Sequence, residues 1–228
     1  MRNLFHAVYY WLNVLTWIRL IVLLVIQRDV QGMGRLPRRG ALVLAGNHLN
    51  LADPPILTAL MPRRIVWMGK QELFDIPVFG FLYHLFGCIP VRRFRADLRA
   101  LRRSEEALGR GLMLGMFPEG TRSGESGLGR GEPGTALLAM RTNTPVQPVA
   151  IWGTEGVKLP RAFFQRTTVH VRFGEPFLLP RPERLTKEAV EEGTDTIMRR
   201  IAEMLPERYR GIYAMEQPRA MEMKGGAR

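Results

Sequence analysis

The stretch Ala41-Leu-Val-Leu-Ala-Gly-Asn-His-Leu-Asn-Leu-Ala-Asp-Pro-Pro-Ile-Leu57 holds the change of pattern that decides the fold. Residues 41–45 are apolar without interruption and run into Gly46, as a strand buried on both faces does. Residues 54–61 suit a short helix, with Asp53 as its N-cap and Pro54 at the first helical position. A buried strand that turns through a polar loop into a helix is a building unit of α/β proteins. Open sheets of that class place their sites at strand ends, and this loop carries Asn47, His48 and Asp53.

The alternation continues towards the C-terminus. Residues 64–68, 88–91, 112–117 and 146–152 read as short buried strands, and 168–173 alternates apolar with polar residues as a half-exposed strand does. Between them, 96–109 has leucines at 98, 101 and 108 at helical spacing, 135–142 is a helical stretch, and 186–205 is an amphipathic helix. Residues 78–86 are apolar and aromatic, and 120–134 is a glycine-rich loop. The expected architecture is a single α/β domain, a mixed, largely parallel sheet flanked by helices, over residues 31–212. The tail 213–228 lacks periodicity and is expected to be disordered.

Towards the N-terminus, residues 31–40 form a basic linker, and residues 4–26 are overwhelmingly apolar. Such a length matches the roughly 20 residues that span a bilayer, but His6, Asn13 and Arg19 interrupt it. On a helix, Arg2, His6, Tyr9, Asn13 and Thr16 share one stripe, while 20–26 is apolar all round. Residues 1–30 are therefore expected to form a membrane-associated helix lying in one leaflet, peripheral or monotopic on the cytoplasmic face, with a full span as the alternative. A net charge of +12 suits an anionic membrane surface or phosphorylated substrates. No nucleic-acid-binding signature is present. Cys88 is the only cysteine, which excludes an internal disulfide and favours a reducing compartment.

Chemistry is sought by elimination among four histidines. His6 lies in the membrane-seeking segment, His84 in an apolar run that suits a core histidine, and His170 on the polar side of an alternating strand, where it is solvated. His48 directly follows a buried strand. Asp53, five residues on, can fold back onto the imidazole, fix its tautomer and stabilise the imidazolium of a general base. The spacing alone equally fits an aspartate that only caps its helix. No histidine or cysteine cluster has metal-ligand spacing, no nucleophile elbow G-x-S-x-G occurs, and Gly129-Arg-Gly-Glu-Pro-Gly134 does not follow a strand as a dinucleotide fingerprint must. The segment Phe117-Pro-Glu-Gly-Thr-Arg-Ser123 also follows a buried strand. There Gly120 and Thr121 supply a tight turn, Arg122 can grip a phosphate, and Glu119 can hold that arginine or accept from a substrate hydroxyl. A surface turn with an ion pair fits the same residues.

Taken together, the motifs resemble the glycerolipid acyltransferases. Asn47-His-Leu-Asn-Leu-Ala-Asp53, with the spacing H-x-x-x-x-D, is similar to their first motif, and Gly87-Cys-Ile-Pro-Val-Arg-Arg93 to their second. Phe117–Ser123 resembles the third and Val146-Gln-Pro-Val149 the fourth, in the same order. Lys70-Gln-Glu-Leu-Phe-Asp-Ile-Pro-Val-Phe-Gly80 resembles the segment linking the first two in 1-acylglycerol-3-phosphate acyltransferases. The chain departs at Glu132-Pro133-Gly134, where relatives commonly carry a lysine. The resemblance implies that His48 is the base and Asp53 its partner, that Arg93, Glu119, Gly120, Thr121 and Arg122 bind the acceptor, and that Lys70 meets phosphate or donor. It implies acyl transfer from acyl-CoA or acyl carrier protein, without a further cofactor or metal, to the 2-hydroxyl of 1-acylglycerol 3-phosphate. Another lysophospholipid, glycerol 3-phosphate and a glycolipid stand as alternative acceptors. A non-catalytic basic membrane-binding protein is the rival outside this class.

Overall fold

A computed structural model describes residues 12, 14–92, 97–123, 126–158 and 164–214. Seven strands form one sheet: β1 (Ile26–Gln31), β2 (Leu42–Gly46), β3 (Ile65–Lys70), β4 (Ile89–Val91), β5 (Met113–Met116), β6 (Val146–Trp152) and β7 (Thr167–Phe173). Their spatial order is β1-β7-β6-β2-β5-β3-β4. Every pairing is parallel except β6 with β7, so the expected mixed, largely parallel sheet is present.

Helices cover both faces. On one lie α1 (Arg19–Val25) and α2 (Asp53–Leu60), burying Val22, Val25, Ile56 and Leu57 against Leu42, Leu44, Ile151 and Val171. The short α3 (Gln71–Phe74) and α4 (Pro77–Leu85) follow β3. The other face is covered by α5 (Leu98–Gly109), α6 (Gly134–Thr142) and α7 (Lys187–Met204), packed on Val43, Ala45, Leu114 and Ala150. Strand β2 is buried at every residue because its alternating side chains meet a helix layer either way.

Three expectations need correction. First, residues 26–31 are neither helix end nor linker. They are the edge strand β1, paired with β7 from Ile26↔Thr167 to Gln31↔Arg172, so the boundary drawn at residue 30 falls inside the sheet. Ile26 is buried and Val30 packs on the core while Gln27 and Arg28 are exposed, so this edge strand shows no clean two-residue alternation by which its sequence could be read. Second, residues 20–25 do not face lipid all round. Val22 and Val25 are buried in the protein, and Arg19 donates to the carbonyls of Ala59 (2.8 Å) and Met61 (3.4 Å) at the end of α2, where cations and donors are favoured. Third, Leu98 is exposed. The buried stripe of α5 is Ala100, Ser104, Ala107 and Leu108, with Asp97 capping the helix through the N–H groups of Arg99 and Ala100.

The stripe through Arg2, His6, Tyr9 and Asn13 and the tail beyond Ala214 lie outside the described residues. Among the described residues no helix is long and apolar enough to cross a membrane.

Candidate active site

Strands β2 and β5 are parallel neighbours, with Ala45 opposite Met116, so the chains leaving their carboxyl ends emerge side by side. One carries Asn47 and His48, the other Phe117–Ser123. This is the strand-end crevice in which open α/β sheets hold ligands.

Asn47, 1% exposed, extends the sheet with its side chain. Its amide donates to the Ile151 carbonyl at 2.7 Å and accepts from the Ile151 N–H at 2.8 Å. The strand can therefore end without orphaned polar groups, and His48 is placed at the rim. Asp53 is the first residue inside α2 rather than its N-cap. One carboxylate oxygen of this fully buried side chain gathers His48 Nδ1 (2.8 Å) and the N–H groups of Leu49 and Asn50 (2.7 Å each). The loop thus wraps around the carboxylate, at a helix N-terminus where peptide dipoles favour negative charge. With Nδ1 engaged by Asp53, Nε2 is the nitrogen left for proton transfer.

Glu119 holds the two loops together. Its carboxylate accepts the His48 N–H at 3.0 Å, the Ser123 hydroxyl at 2.7–2.8 Å and the Gly129 N–H at 3.4 Å, while Ser123 N–H donates to the His48 carbonyl at 2.6 Å. Burial pushes the Glu119 carboxyl above its ordinary value, and these donors pull it partly back. Among the described residues, the hydrogen bonds of Glu119 go to two backbone N–H groups and the Ser123 hydroxyl, so it braces the site from behind. Gly120 turns the chain at φ +67°, a left-handed conformation suited to glycine. Beyond that turn Thr121 and Arg122 are exposed, and with Leu49 and Ser123 they line an open cleft of about 460 Å³.

Lys70 ends β3 at the same sheet edge, two strands from β2, roughly 10 Å by strand spacing. Its ammonium pairs with Glu72 at 3.4 Å. Arg93 lies outside the described residues.

His84 and His170 differ from expectation. His84 is exposed, with Nδ1 2.8 Å from the Gly80 carbonyl, because its helix packs through Tyr83 instead. His170 is tied to Asp29 at 2.9 Å across β1 and β7 and stacks on Trp152. Cys88 is half-buried and burial pushes its thiol up to about 12, as suits packing rather than reaction. Among the described residues no group of three or more histidines, cysteines and carboxylates could hold a metal.

Sequence reasoning assigned no role to Phe117 or Trp67. The Phe117 ring stacks on His48 at 4.1 Å between centroids and on Trp67 at 5.1 Å. The signal was present only as one aromatic residue inside a strand and another in the loop after a different strand.

The family described as Acyltransferase matches residues 27–152 of the chain. Among curated proteins, the chain is 33% identical over 129 residues to the chloroplastic 1-acyl-sn-glycerol-3-phosphate acyltransferase BAT2 of Brassica napus, covering 55% of this chain and 37% of that protein. It is 31% identical over 166 residues to the lyso-ornithine lipid O-acyltransferase of Pseudomonas aeruginosa, covering 65% of this chain and 63% of that one. The matched region is thus less than two thirds of either relative. The crystal structure of the 1-acyl-sn-glycerophosphate acyltransferase from Thermotoga maritima superposes with a TM-score of 0.60 over 86% of this chain and 92% of that one, at 22% identity, and shows the shared fold. Since the family match, the ordered motifs and the strand-end His48–Asp53 pair all fall on the same residues, the chain belongs to the acyltransferase family.

Proposed function

We propose that this protein transfers a fatty acyl group from an acyl thioester, on coenzyme A or acyl carrier protein, to the 2-hydroxyl of 1-acylglycerol 3-phosphate, forming phosphatidic acid. The observation that carries the reading is the 2.8 Å contact between His48 Nδ1 and the buried Asp53 carboxylate at the sheet's carboxyl edge. Nε2 takes the hydroxyl proton as the oxygen attacks the thioester carbonyl. The tetrahedral intermediate collapses by breaking the C–S bond, and the imidazolium returns the proton to the departing thiolate. Asp53 stabilises the imidazolium throughout. No protein nucleophile takes part and no cofactor beyond the thioester is invoked. Exposed Arg122, at the mouth of the cleft, is the candidate grip on the acceptor phosphate, with Arg93 as its partner from the second motif. Such a grip orients the hydroxyl as well as binding it.

The lipid acceptor lies in a bilayer and the donor in water, so the reading places the protein at the membrane surface. The outward side chains of α1, Leu20, Ile21, Leu23 and Leu24, are exposed and apolar, and arginines 28, 38 and 39 follow them in sequence, as a monotopic attachment to an anionic cytoplasmic leaflet requires.

One observation favours a second acceptor. Glu132 lies against the third motif, with its Cγ 3.0 Å from where a Cβ of Gly120 would sit, and adds negative charge beside the cleft. That suits a lysolipid whose headgroup carries an amine, such as the lyso-ornithine lipid in the name of the Pseudomonas aeruginosa relative. Mass spectrometry of products from the purified protein, offered both lysolipids with acyl-CoA and with acylated acyl carrier protein, tests the two. Phosphatidic acid as the main product supports the first, and diacylated amino-acid lipid the second. No acyl transfer with any pair would overturn both.

A further inference from the structure

Asp53 by itself does not fix the base. The ring turns about its Cα–Cβ and Cβ–Cγ bonds, and one hydrogen bond at Nδ1 still permits small coupled rotations of both, which move Nε2 off the hydroxyl it must meet. A second constraint, normal to the ring, is required. Phe117 is placed to supply it, near-parallel to the His48 ring at 14° and 4.1 Å. Phe117 is itself stacked with Trp67, at 11° and 5.1 Å. Offset stacks of this separation are attractive beyond the area they bury.

The far end of the stack is anchored. Trp67 is 7% exposed, and its indole N–H donates to Thr58 Oγ at 2.8 Å. Thr58 lies on α2, the helix that Asp53 begins. Trp67 can lie across β5 only because the residue opposite it in register is Gly115, where a Cβ would come within 2.4 Å of the indole. The contacts therefore close a circuit: His48 to Asp53, along α2 to Thr58, to Trp67, to Phe117 and back to His48.

We propose that Phe117 and Trp67 are positioning residues for His48. Asp53 sets the direction of the imidazole within its plane, and the stack sets the plane, so that Nε2 is aimed before the acceptor arrives. The inference rests on the reading of His48 as the general base. Full-length Phe117→Leu, assayed with 1-acylglycerol 3-phosphate and acyl-CoA, should lose about 10–100-fold in kcat with KM within about two-fold, since small misplacements of a reacting group carry penalties of that size. Phe117→Tyr, which keeps the ring, should restore most of it. NMR of the His48 imidazole C–H groups reads the same geometry without turnover. The parent should give one sharp set of signals displaced by the ring currents of Phe117, and Phe117→Leu should lose that displacement and broaden. Unchanged kcat in folded Phe117→Leu, a loss carried by KM, or an imidazole spectrum identical to the parent's would each overturn the proposal. Should Phe117→Leu not fold, near-isosteric Thr58→Val decides: about a three-fold or greater loss in kcat supports the circuit, and parental kcat overturns it. If the parent itself acylates nothing, the acyl-transfer reading fails separately, and the NMR comparison still judges the stack.

Discussion

At the scale of single residues, the site is a contest for His48. Its backbone N–H goes to Glu119, its carbonyl to Ser123, its Nδ1 to Asp53 and its ring face to Phe117. Among the described residues none of these contacts uses Nε2. His48→Ala should therefore lower kcat by at least ~10²-fold with the thermal melt little changed, as expected for the loss of a general base. Asp53→Asn should be severely impaired as well, because the amide offers no charge to the imidazolium. Circular dichroism and steady-state kinetics on the two purified variants check both, and near-parental turnover in a folded His48→Ala protein would end the mechanism. Arg122 makes a different demand. Being exposed and beyond the Gly120 turn, it should act on the acceptor, so Arg122→Ala should raise the KM for 1-acylglycerol 3-phosphate about ten-fold or more while sparing the KM for the thioester. The opposite pattern would assign the cleft's arginine to the donor. The His48–Asp53 pairing was half legible: the four residues between them allow the contact but equally allow a helix cap, and the resemblance of the motif decided between the two. The ring stack was not, because it depends on Trp67 lying opposite Gly115 in a strand nearly fifty residues further along.

At the scale of elements, Glu119 shows how two loops become one site. It joins the loop after β2 to the loop after β5 through three donors. Because burial raises its carboxyl, the folded chain holds a proton there over a range in which the unfolded chain has released it. Glu119 therefore favours folding most below its ordinary value of 4.5, and that advantage is lost as pH rises through the raised one. Glu119→Gln cannot ionise. The unfolding free energy of the variant relative to the parent, from urea melts at several pH values, should increase as pH climbs above about 4.5. A pH-independent difference would show that Glu119 does not carry the shift. Elements with strong local pattern were readable: β2 from its unbroken apolar run and α7 from its amphipathic stripe, to which the structure adds Thr186 as the N-cap. Strand β1 was not, since only Ile26 and Val30 point inward and the strand that explains them begins at residue 167.

At the scale of the molecule, one helix layer has two duties. Inward, α1 seats Val22 and Val25 on the core. Outward, it presents Leu20, Ile21, Leu23 and Leu24. Replacing Ile21 and Leu24 together by Asp should release the protein from vesicles containing anionic lipid, read by flotation, while leaving turnover of a dispersed short-chain acceptor largely intact. Continued flotation would move the attachment elsewhere. Deleting residues 1–27 is a different experiment, because it removes the beginning of β1 and should compromise the fold itself. The pairing of β1 with β7 also sets an order of events during synthesis. Ile26 waits for Thr167, and the carbonyls of Leu23 and Ile26 wait for Arg166. At ribosomal speeds of roughly 5–20 residues per second, the intervening chain takes roughly 7–30 s to make. For that interval β1 lacks the strand it pairs with, and the carbonyls at the end of α1 lack their arginine. The N-terminal side of the sheet is therefore closed last, and if the proposed membrane attachment holds, α1 can meet the bilayer before the fold is complete.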